Sequence, residues 1–176
     1  MCKAGEFILY CVVINYLTND FEYSLRITQA DLSFVANSAL FESNILRFRA
    51  LASIKLFEFA VEEDDAAFVN NFGLMTQALT AMENSLIIYK AEHYNVDELN
   101  SNDYGVALSH FTLAFIYHHF AQYLCDKRVK KVEDFKEYLV SDRISSLILA
   151  SSHYNLAAEN FKKVDHLMGE YLSKKH

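Results

Sequence analysis

Any chemistry in this chain would have to start from its histidines. The segment SHFTLAFIYHHF, residues 109–120, holds His110, His118 and His119, three of the seven in the chain. His118 falls on an apolar helical seam, His119 lies beside it, and His110 lies about two turns earlier. An imidazole on such a face can ligate a metal or titrate as a pH switch. The plainer role is a core hydrogen bond to a neighbour. His110 and His118 are the metal candidates, and His93 and His118 the cofactor candidates. His93 with Asp97, and His166 with Glu170, are spaced to share a surface cation, but two ligands do not complete a site. Glu58, between Phe57 and Phe59, could be a desolvated carboxylate, although Lys55, Glu58 and Glu62 also read as a solvated stripe. Arg47 or Arg49 is expected to pair with a carboxylate inside the fold.

The familiar catalytic and binding patterns are missing. The four glycines are scattered, so no Gly-rich phosphate loop forms, and there is neither a Gly-x-Ser-x-Gly elbow nor His-Glu-x-x-His. Carboxylate-bridged metal bundles need Glu-x-x-His on two helices, and no such set occurs. Helical ribonucleases of the HEPN type carry an Arg followed closely by His, and the nearest pair here, Arg143 and His153, is spaced too far apart. The basic cluster KRVKK, 127–131, runs straight into Glu133, Asp134 and Glu137 without aromatics to stack on bases. With a net charge of −7, nucleic acid and anionic lipid are not expected partners. No cofactor is expected, and the balance leans away from an enzyme.

The elements that would position these residues are helices. The chain has 176 residues, no proline, and a 52% hydrophobic content, which excludes disorder and disfavours turn-rich β architectures. Phe7–Leu17 is an apolar run too short to span a membrane and without a signal-peptide cleavage site, and it is expected as a buried first helix. A helix apolar around most of its circumference follows over 40–63. Phe72, Met75, Leu79, Met82, Leu86 and Tyr89 then form a three-four seam expected to pack within the chain, with Asn70 or Asn71 as its cap. A polar loop at 94–103 separates this from a second seam, Tyr104 to Cys125, and KRVKK is expected to close that helix. A short helix at 132–139 and a last helix, 141 to about 172, complete one all-α domain, a bundle of about five or six helices. Three cysteines without metal spacing fit a cytoplasmic protein.

One stretch, SLIIYKAEHYNVDELNSNDYGVALSHF, resembles globins: His93 stands late in a helix before a polar corner and a further apolar helix. That resemblance implies a haem-ligating or haem-free sensor role for His93. The residues themselves favour a different function. This is a non-enzymatic interaction or regulatory module, self-associating or docking a protein partner through apolar side chains left over from the core. Leu74, Ile87, Ile88, Phe115 and Tyr117 are the expected interface. Sensing of a small ligand, metal or haem through His93 or His118 is the alternative.

Overall fold

The computed structural model describes residues 2–29, 39–93, 99–126, 128 and 143–175. Among these there is no strand, and eight helices occur: α1 (Cys2–Leu17), α2 (Phe21–Gln29), α3 (Ala39–Glu63), α4 (Asp65–Asn71), α5 (Gly73–His93), α6 (Leu99–Tyr123), α7 (Arg143–Lys163) and α8 (Leu167–Lys175). The all-α expectation is met, but the helix count is higher, because the expected last helix is broken in two and short helices, α2 and α4, form where none was expected. The short helix expected at 132–139 and the cap at Ser141 lie outside the described residues.

The turns after α1 and α7 are made without glycine or proline. Asp165 adopts a left-handed backbone with φ 53°, and the amide of His166 returns to the carbonyl of Phe161 at 2.9 Å. This closes α7 and lets α8 leave in a new direction. Asn19, φ 65°, does the same after α1, where Asp20 N–H reaches Asn15 O at 2.8 Å. Asn and Asp are the non-glycine residues that tolerate this conformation best. At the other break Asp64 caps α4, its carboxylate accepting from Ala67 N–H at 2.7 Å. Asn70 and Asn71 therefore end α4 rather than start α5, and Asn71 donates back to Ala67 O.

The central layer runs α3–α5–α6–α7. α6 packs most extensively on α7 and α3 on α5, with α1 and α2 on the outer side of α3 and α8 against α7. Small side chains permit the close approaches: Ser43, Ala50, Ala78 and Ser85 are buried on α3 and α5, and Ala107, Ala114, Ala150 and Ala157 on α6 and α7. Ser85 Oγ donates to Ser43 O at 2.9 Å across the first of these interfaces. The seam Phe72–Tyr89 is core, as expected, with Leu79 only half-buried. At one end of the bundle Phe57 packs on Phe68, Phe72 and Tyr123 with centroids 5.4, 5.7 and 5.0 Å away.

Candidate functional site

Three features of this scaffold bear on function. The first is a histidine pair. His110 on α6 and His153 on α7 face one another with Nδ1 atoms 2.8 Å apart. One ring must therefore present Nδ1–H and the other a bare nitrogen, so the contact holds while at least one of them is neutral. Tyr117 stacks on His153 at 5.7 Å and 14°, and its hydroxyl lies 3.4 Å from the Glu83 carboxylate. Burial pushes His110 down to about 4, with the facing His153 and Lys90 acting in the same direction. Burial, then Lys90, also lowers His153. Tyr117 is pushed up to about 12 by burial and by Glu83. The arrangement is a neutral clasp between α6 and α7. Among the described residues no group of three or more His, Cys, Asp or Glu converges as a metal site.

The second feature is an array on α3 and α6. Glu58 is half-buried, accepts from Lys55 Nζ at 2.6 Å, and lies 3.9 Å from His119 Nε2. His119 packs on Phe115 at 4.2 Å. Its Nδ1 is buried without a hydrogen-bond partner, and burial lowers its pKa despite the neighbouring Glu58. Beside the array an apolar cavity of about 180 Å³ opens between Tyr16, Leu51, Ile54, Lys55, Phe111 and Phe115.

The third is a surface. α1 is not buried as expected: Val12 is fully enclosed, but Phe7, Tyr10, Ile14 and Leu17 are 69, 67, 57 and 71% exposed. They fall on one face of the helix at three-four-three spacing, and residues 7–17 contain no charge. A cavity of about 300 Å³ adjoins the stripe, lined by Leu9, Tyr10, Val13 and Phe41.

Other residues singled out from the sequence are placed differently. The side chains of His93 and its partner Asp97 lie outside the described residues, although α5 does end at His93. His118 is half-buried and does not join the His110–His153 clasp. His166 spends Nδ1 on Gly169 N–H, 3.0 Å, while Glu170 pairs with Lys174, so these two do not act together. Among the described residues neither Arg47 nor Arg49 meets a carboxylate: Arg47 reaches Asn44 Oδ1 at 3.4 Å and lies over Phe48. Of the expected interface, Ile87 is exposed and Ile88 half-buried, but Tyr117 is only 8% exposed, and Leu74 and Phe115 pack against the core. Of these three only Tyr117 belongs to the interior, while Leu74 and Phe115 are half-buried. The loop expected to 103 stops earlier, because α6 begins at Leu99.

Compared with known protein families, curated proteins and solved structures, the chain matches none. The globin resemblance of residues 85–111 thus rests on those letters alone. Among the described residues no helix is long and apolar enough to cross a membrane.

Proposed function

We propose that this protein is a non-enzymatic helical interaction module that pairs with a second copy of itself through the outer face of α1. The observation that carries the reading is the uncharged stripe Phe7, Tyr10, Ile14 and Leu17 standing clear of the core. Its spacing is that of a helix–helix seam. Two copies laid antiparallel about a twofold axis would each set a large side chain into the other's cavity beside Tyr10 and Phe41. Covering the stripe removes on the order of 400 Å² of apolar surface per copy. Over both copies this contributes about 20 kcal/mol gross, against an association cost of roughly 4–15 kcal/mol. Each copy carries −7, so salt should strengthen the pairing by screening repulsion between copies. Free Cys11 and Cys125 are consistent with the cytoplasmic setting we assign it.

Light scattering on the intact chain tests this. A dimer mass is expected, with Ile14→Glu giving a monomer of unchanged helical content, because Ile14 is exposed. A wild-type monomer at sub-millimolar concentration in high salt would end the proposal. A second reading, a small-ligand sensor, is favoured by the 180 Å³ cavity next to His119. A small aromatic probe that raises the melting temperature of wild type but not of Ile54→Phe would support it.

A further inference from the structure

α3 and α6 both lie against α5 but scarcely meet each other, and the gap between them is not filled. It is an apolar cavity of about 180 Å³, comparable with the roughly 150 Å³ of a Leu/Ile/Phe-lined cavity that takes up benzene. Ile54 of α3 and Thr112 of α6, 1 and 6% exposed, are its most enclosed lining. The half-buried Leu51, Phe111 and Phe115 form its sides. Tyr16 reaches it from α1, its ring held edge-on by Phe21 and Phe48 at 5.3 and 5.6 Å. Three aromatic side chains thus border a space that another single ring would fill.

The polar groups on this lining are few and within reach of a ligand. The Tyr16 hydroxyl takes part in no hydrogen bond among the described residues and is not sealed from solvent. Lys55, its side chain 40% exposed, gives one N–H to Glu58 at 2.6 Å and keeps two more. Thr112 has committed its proton to Leu108 O at 2.9 Å, so its oxygen can only accept. Lys55 and Glu58 cancel as charges, and the cavity mouth offers hydrogen bonds without a net charge. Resting on the small-ligand reading above, we propose that this cavity binds a neutral single-ring phenol. The ring matches the volume and the aromatic walls. Its hydroxyl can accept from Tyr16 or Lys55 and donate to Thr112. A ring carboxylate would set a second negative charge beside Glu58, and a bare hydrocarbon would leave the polar groups unanswered.

The test titrates phenol, toluene and benzoate into the full chain and follows the Ile54 δ1-methyl signal. Phenol and toluene are nearly equal in size and differ in the hydroxyl. Saturable shifts are expected with both and not with benzoate. Tyr16→Phe, which deletes one oxygen, should lower the phenol-to-toluene affinity ratio roughly 3- to 10-fold. Thr112→Val should lower it too, which keeps the test decisive if Tyr16→Phe does not fold. A ratio unchanged in every variant that folds, or benzoate binding as tightly as phenol, would overturn the phenol while leaving a small-ligand cavity in place. No saturable shift with any of the three would mean that the protein's own side chains close the space, and would end both.

Discussion

Lowering the pH from 7.5 to 5 should loosen the α6–α7 interface through His110. This residue is 3% exposed, and its pKa falls from 6.5 in the free side chain to about 4 in the fold. The folded value lies below the unfolded one, so above about pH 6.5 neither state binds the proton and stability is unaffected. As the pH drops between these values, the unfolded chain takes up a proton that the folded one refuses, and stability falls. At 1.36 kcal/mol per unit the full span amounts to about 3 kcal/mol, of which about 2 kcal/mol is lost by pH 5. His153, shifted the same way, adds to the loss. The charges around the pair are Lys90 on α5 and Glu83, which faces Tyr117. The assay is urea unfolding at both pH values for wild type and His110→Gln. Carboxylates contribute to both proteins equally, so the quantity of interest is the difference between the two pH-dependent losses. Wild type should lose about 2 kcal/mol more than the variant. Parallel losses, or a His110 ring signal titrating near its free value, would refute the reasoning.

Two further substitutions check the packing. A Cβ on Gly105 would stand 2.3 Å from Cε1 of the buried Tyr89 ring, so Gly105→Ala should cost about 1–2 kcal/mol by urea midpoint. Overpacking of roughly 1–3 kcal/mol outweighs the helix propensity gained, about 1 kcal/mol; a more stable variant would show that α6 does not approach α5 this closely. Asp64→Ala should cost about 1 kcal/mol through loss of the α4 cap, whereas Asp64→Asn should retain most of it, and equal losses in both would remove the cap from the account.

Periodicity made the long helices legible. Phe72, Met75, Met82, Leu86 and Tyr89 recur once per turn and are buried, because a helix with such a face has to pack it somewhere. The last seam reads less well. Ile144 and Leu147 continue its spacing but point to solvent, and Ser146 and Ala150 take the inner face. Small residues win there because α6 lies too close for large ones, a constraint set by another helix. The break at Asp165 went unseen because neither glycine nor proline marks it; only its left-handed backbone does. The clasp was half-visible: His110 stood out on its face, but His153 lies 43 residues away, and no local pattern joins two rings across that distance. The α1 surface was misread for a simpler reason. A wholly apolar run looks buried, but a single helix laid on α2 and α3 covers only one of its sides.

The acidic run at the end of α3 shows how far a local conflict can reach for its solution. Glu62 and Glu63 oppose the negative end of the helix dipole, so the sequence alone calls for the run to belong elsewhere. Asp64 and Asp65 do move into the next helix, as its cap and first turn. The exposed carbonyl end is met by Arg128, which donates through Nη1 to Val61 O at 3.2 Å across 67 residues. Its guanidinium lies 4.3 Å over the Phe68 ring and is gripped by Asp126 at 2.7 Å. The basic cluster therefore sends at least this cation to the end of α3, not to the end of α6 where the sequence suggested it. Arg128 is thus satisfied by a carboxylate, a ring and a carbonyl together.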